Sequence, residues 1–248
     1  VQNAWWKAVF HDAEIYHMEF IDDALMLFIK HTSGFYIEKI TFKSGLVDTG
    51  LTYLNHLDRK FTGTGGTYNS GNNTTPIAVP SGYKFQTDAP FQVVETDGSI
   101  KTISSLEGDP NYIIHVEGNL QGKTMLVGEK YTFKYKFSEQ LLREGDPPRP
   151  ISEGRMTLRY GTLLYEDTGF FKVTVTPGIK NTYEYKLGNV VGVSSIGDTT
   201  VTDGKLKYPI HSKASDVTIE VTNDTPLPTR LTGAEFEFSW VSRSRRLA

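Results

Sequence analysis

Glu19, Asp22 and Asp23 stand close together in the stretch "HMEFIDDA". Two carboxylates held a few ångströms apart are the machinery of glycoside hydrolysis, one giving a proton while the other attacks or activates water. The same residues also have a conformational reading. Asp22-Asp23 separates two apolar alternating runs, where aspartate tolerates the backbone of a tight turn, and Glu19 falls on a solvated strand face. That reading takes precedence, because acids in turns need no further cause. His11, His17, His31, His56, His115 and His211 show no metal-ligand spacing. His17 and His31 are placed to meet across neighbouring strands, as hydrogen-bonded groups rather than ligands. No G-x-S-x-G elbow is present, and "GTGGTYNSG" is followed by no helix whose N-terminal amides would cradle a phosphate. Cysteine is absent, which removes disulfide frameworks, thiolate-bound zinc and thiol catalysis together. The expectation is therefore no catalytic residue, no metal and no cofactor.

The elements that carry these residues follow a period of two. In "YTFKYKF", Tyr131, Phe133, Tyr135 and Phe137 share one face and Thr132, Lys134 and Lys136 the other, as a half-buried strand requires. Phe171, Val173 and Val175 repeat the pattern, as do Val217, Ile219 and Val221, and Phe236, Phe238 and Trp240. Asp97-Gly98 and Asp203-Gly204 supply hairpin chemistry between such runs. The stretch "SEQLLRE" comes after a strong strand and stops at "GDPPRP", so it reads as loop. Four short strands before residue 43, joined by polar turns, have the form of one β-propeller blade. The fold class is all-β: a propeller-type blade at 1–45, a connecting strand and Gly/Asn/Thr-rich arm at 46–83 that is too polar to pack a core, and an antiparallel β-sandwich at 84–248. No apolar run reaches membrane-spanning length. A net charge of -3 over 248 residues argues against a general polyanion binder. The chain opens on "VQNAWWKAVF" without Met and reads as part of something longer.

The order of four motifs carries a resemblance. "VEGNLQGKTMLVGEKYTFKYKFSEQLLRE", "EGRMTLRYGTLLYEDTGFFKVTV", "KYPI" and "DTPLPTRLTGAEFEFSWVSRSRRL" succeed one another as in the C-terminal part of the tail tubular protein B family, the nozzle proteins of short-tailed bacteriophages. "WWKAVF" resembles the strand that opens that family's last propeller blade, and within 63–82 only "GTYN" matches. The resemblance implies a structural, non-enzymatic protein of the virion tail tip, assembled in the host cytoplasm. It also implies a homo-hexameric ring that continues the DNA conduit, stays closed until ejection, docks the tail fibres with the adaptor ring protein, and passes genomic DNA without sequence-specific binding. Within the polar arm, whose order would have to come from another subunit or a fibre, Tyr68 and Asn69 are expected assembly contacts.

In "EFEFSWVSRSRRLA" the inner face runs out at Trp240, while the outer face changes from Glu235 and Glu237 to Arg243 and Arg245. Arg243, Arg245 and Arg246 are expected to meet an acidic surface on a neighbouring subunit or the adaptor ring through charge-assisted pairs. Three arginines on an acidic chain give little counterion release for a grip on DNA. The alternative function, from another class, is a carbohydrate-binding or carbohydrate-degrading tail module.

Overall fold

A computed structural model describes residues 13–32, 34–41, 48, 51, 53–81, 83, 90–108, 112–145, 149–151, 154–187 and 201–242. The described residues form several antiparallel sheets joined by turns and one 3-10 turn. The first sheet is a meander of β1 (Ala13–Ile21), β2 (Ala24–His31) and β3 (Gly34–Thr41). Asp22-Asp23 is its two-residue turn: Ile21 pairs with Ala24, and Asp22 takes φ 54°, a left-handed conformation that aspartate tolerates. Leu27, Ile29 and His31 are buried along one face of β2. Both faces of this sheet nevertheless present apolar side chains to solvent: Phe20 at 67% exposure with Met18 on one, Ile37 at 72% with Phe28 on the other.

The remaining strands enclose two cores. The smaller lies between the sheet of β4 (Asp58–Thr64), β6 (Phe91–Glu95), β7 (Ile100–Lys101) and β10 (Thr124–Glu129), ordered β4-β10-β6-β7, and the sheet of β5 (Thr74–Ala78), β8 (Ile103–Glu107) and β9 (Ile113–Glu117), ordered β5-β9-β8. Ile77, Val93, Ile114, Val116, Met125 and Val127 fill it. The expected boundary between residues 83 and 84 is crossed by two ladders, β4 with β10 and β5 with β9.

The larger core draws on a second pair of sheets. One consists of β11 (Phe133–Lys136), β15 (Lys172–Pro177), β16 (Tyr183–Lys186) and β18 (Val217–Asn223), ordered β11-β18-β15-β16. The other consists of β14 (Arg155–Thr168), β17 (Thr202–Lys213) and β19 (Arg230–Val241), with the 14-residue β14 in the centre. A short pair, β12 (Arg143–Glu144) and β13 (Arg149–Pro150), bridges the loop between β11 and β14. Phe171, Val173, Val175, Ile219 and Val221 are buried here, as their alternation requires. Leu51, Tyr53 and Leu126 form a seam with Val201 and Leu227, joining the smaller unit to the larger.

Three expectations need correction. The arm at 63–82 is not a free polar connection: Gly63, Gly65, Thr74, Thr75 and Ile77 are buried, and residues 65–77 form a tight hairpin. A Cβ on Gly65 would meet the Leu120 carbonyl oxygen at 2.1 Å, so "GTGG" is glycine because backbone crosses backbone there. Asp203-Gly204 is not a turn but lies inside β17, where the Asp203 carboxylate accepts from the Asp167 amide at 2.8 Å, at an irregularity in β14. The expected inner face of β19 is only half realised, since Phe236 and Trp240 pack against the core while Phe238 is 43% exposed. Phe171→Ala is expected to cost about 3–5 kcal/mol in denaturant unfolding, through lost transfer energy and the cavity left behind, and Phe236→Ala clearly less. Equal losses for the two would show that the edge of the sandwich is as dry as its centre.

Candidate functional site

The most concentrated polar chemistry lies where the first sheet meets the second. Glu38 on β3 accepts a hydrogen bond from His31 Nε2 at 2.8 Å and an ion-pair contact from Arg59 Nε at 3.4 Å. Arg59 on β4 donates through its terminal nitrogen to Glu129 on β10 at 2.7 Å. One guanidinium therefore ties together two carboxylates from separate sheets, all three side chains mostly buried. The Arg59 backbone is at φ 45°, its carbonyl accepts from the Tyr83 hydroxyl at 2.6 Å, and its guanidinium stands 5.8 Å from the Tyr83 ring centre. Such strain persists only where the surroundings over-determine it. Burial, opposed by Arg59, holds the Tyr83 phenol well above its ordinary range. Burial first, then the charges of Glu129 and Glu38, push the neighbouring Asp58 carboxyl up to about 6, although Asp58 keeps an accessible face. Nearby, the Tyr131 hydroxyl pairs with His56 Nδ1 at 3.2 Å; burial lowers His56 and raises Tyr131 to about 12.

This network is built for holding. Both inner carboxylates share Arg59, and Glu38 further engages His31. The carboxylates singled out from the sequence lie elsewhere: Glu19 is exposed on β1 and Asp22-Asp23 form the turn. His17 and His31 do not meet, because His17 pairs with Phe28 while His31 lies opposite Ala13 and Gly34. Among the described residues, no group of three His, Cys, Asp or Glu is placed to hold a metal ion.

Tyr68 and Asn69 sit in the 65–77 hairpin. The Tyr68 amide donates to Gln121 and its hydroxyl to Asn73, at 3.1 and 2.8 Å. Asn69 exchanges both backbone bonds with Thr74 and accepts from the Gly71 amide at 2.9 Å. The tip is polar, exposed and internally fixed, a shape that can dock without losing order. Arg243, Arg245 and Arg246 lie outside the described residues.

The junction is invisible in the sequence. Glu38, Arg59 and Glu129 are ordinary charged residues on alternating strands, 21 and 70 positions apart, and only the pairing of β4 with β10 brings the last two together. Removing the cation should be severe: Arg59→Ala is expected to destabilise by up to about 3–5 kcal/mol, because Glu38 and Glu129 then face each other in a poorly solvated site. Arg59→Lys should recover only part of that in the same thermal melts, since a point charge cannot span both carboxylates. For Asp58, a folded pKa above the unfolded value of about 3.9 means that its contribution is complete below about pH 4 and lost as pH rises through about 6. Asp58→Asn should flatten the stability profile across that window, by an amount that solvent screening reduces; an unchanged profile would place the titration elsewhere.

Comparison with known proteins fits a piece of a larger assembly. Residues 1–247 match the model of a family described as "Bacteriophage nozzle protein". The chain is 24% identical over 257 residues to "Tail tubular protein gp12" of Escherichia phage T7, an alignment covering 98% of this chain and 32% of that protein. The chain thus spans about a third of the length of this relative. Matched over nearly its whole length, the chain belongs to the bacteriophage nozzle protein family and is a structural component of the phage virion tail.

Proposed function

We propose that this chain is the part of a nozzle subunit that joins a propeller-like unit to a β-sandwich and holds neighbouring subunits in a ring at the tail tip. On this reading 1–45 is the last blade, 46–83 the connection, bonded through its strands to β9 and β10, and 84–248 carries the sandwich. The ring, expected to be six-membered, continues the DNA conduit, keeps it closed before ejection, and docks tail fibres together with the adaptor ring. Its work is mechanical rather than enzymatic, and DNA passes through the lumen without sequence-specific contacts.

The observation that carries the reading is the first sheet. Tyr16, Phe28 and Phe35 cluster on one face, with ring centroids 5.5 to 6.3 Å apart, and are all exposed, as is Ile37 beside them. Contiguous apolar surface of this kind marks a contact site, and a blade flanked by other blades needs one on each face. The junction through Arg59 supports the mechanical role, because it fixes the sheet to the unit behind it. The rigid hairpin tip offers Tyr68 and Asn69 to a partner without an ordering cost.

Light scattering after size-exclusion chromatography of the full-length protein, run beside glycan-binding and sugar-release assays, tests this directly. The expected result is a mass near six subunits with no sugar turnover. A monomer that binds or cleaves polysaccharide would replace the nozzle reading with a host-recognition module. Tyr68→Ala with Asn69→Ala should lower assembly while shifting the melting temperature by only a few degrees, the range of about 1 kcal/mol; a much larger shift would make the tip part of the fold instead.

A further inference from the structure

The sheet built on β14 has two edges, and they are made differently. Along β17 stand Asp203, Gly204, Pro209 and three lysines, Lys205, Lys207 and Lys213, the residues with which sheet edges are protected against pairing. Along β19 the run from Leu231 to Val241 holds no proline and no lysine. Among the described residues β19, a 12-residue strand, pairs only with β14, and no described strand covers its outer row of N–H and C=O groups. Across the groove, β11 pairs only with β18 among the described residues. Between these two strands runs a groove of about 400 Å³, lined by Phe133, Tyr135, Phe137, Leu163, Leu231 and Ala234. Tyr135, which the alternation would have put in a core, is here 48% exposed.

The outer face of β19 tells what fits. Glu235 lies opposite Thr162 and Glu237 opposite Tyr160, both on the solvent side of β14. Glu237 is bonded by Lys207 from across the sheet, and Glu235 makes no ion pair among the described residues. The matching cations are Arg243 and Arg245, two positions apart as the two glutamates are. In extended chains both pairs repeat at about 6.6 Å on one face, so they align whether the strands run parallel or antiparallel.

We propose that the open edge of β19 in one copy seats residues 242–248 of a second copy as an added strand, with Glu235 and Glu237 receiving that copy's Arg243 and Arg245. Main-chain bonds to the edge give affinity, and the two charge pairs give register and choice of partner. Edge and tail are different surfaces, so the contact is head-to-tail and repeats from copy to copy until the set closes, as a ring requires. Self-pairing of two bare edges is disfavoured, because it would bring glutamates toward one another. The inference rests on the self-assembly reading above and assigns the surface by which it occurs.

The test is charge exchange in the full-length protein. One variant carries Glu235→Arg and Glu237→Arg, the other Arg243→Glu and Arg245→Glu. Each alone should assemble roughly tenfold more weakly or worse, since like charges then meet at the contact. An equimolar mixture should regain the parent mass, because each variant supplies what the other repels, and the protein with all four changes should assemble alone. A merely structural role cannot give rescue by mixing. Should the reversed edge fail to fold in melting experiments, Glu235→Gln with Glu237→Gln is read in its place and should weaken assembly without loss of fold. Normal assembly of both variants, with or without a loss of salt-sensitive DNA binding, would overturn the contact while leaving the ring intact; a mixture that stops at a dimer would overturn its head-to-tail form. A parent that stays monomeric would overturn the assembly reading and this contact together.

Discussion

Arg59 is the point on which the arrangement of the described residues turns. The first sheet, three strands among the described residues with apolar side chains on both faces, is tied to the sheet behind it. Here the connection is polar as well as apolar: a single guanidinium engages Glu38 from the first sheet and Glu129 from the second, and the strained backbone of Arg59 is fixed by the Tyr83 hydroxyl. A fork of fixed geometry does this where a flexible ammonium would not, since it meets two carboxylates along defined directions. With one position of the sheet set this way, the aromatic face of Tyr16, Phe28 and Phe35 is held outward. An apolar face held toward solvent is the kind of surface that marks a contact site.

The second constraint is the length of β14. Fourteen residues pair on both sides, with β17 and β19, and the register shifts near Leu158 and Tyr160 appear in both ladders. A bulge in the central strand increases local twist and re-aims the residues beyond it. It lies near the point where Phe238 emerges from the core while Phe236 and Trp240 stay against it. Among the described residues this core is dry along Phe171, Val173 and Val221, and a groove runs along β11 and β19. The two margins of one sheet thus differ in kind: lysines and a proline stand along β17, whereas from Leu231 to Val241 β19 carries neither and its charges are Glu235 and Glu237.

How much of this is legible in the sequence depends on the range of the interaction. Period-two alternation is local, so it places Phe171 to Val175 and Val217 to Val221 correctly, and the Asp22-Asp23 turn is equally plain, its chemistry being contained in two residues. Asp203-Gly204 has the same turn chemistry but is absorbed into a long strand, because pairing with β14 outweighs a local preference. The polar stretch 63–82 misleads for a related reason. Its glycines read as freedom, yet Gly63 and Gly65 are there because Ile77 and the Leu120 carbonyl leave no room for a side chain. The Glu38–Arg59–Glu129 junction is not legible at all, since nothing about three charged residues far apart in sequence shows that one cation lies between two anions.

If the first sheet's aromatic face is the contact surface proposed, it is covered when the subunit is part of its assembly. Hydroxyl-radical footprinting of the assembled full-length protein measures it residue by residue, with fully buried Phe171 and fully solvated Ile179 as internal standards, at 0% and 97% exposure. Tyr16, Phe28 and Phe35 are expected to react at rates close to Phe171 once intrinsic reactivity is allowed for. Rates that instead track the exposure of Ile179 would leave the face bare in the assembled state and rule out its role as a contact.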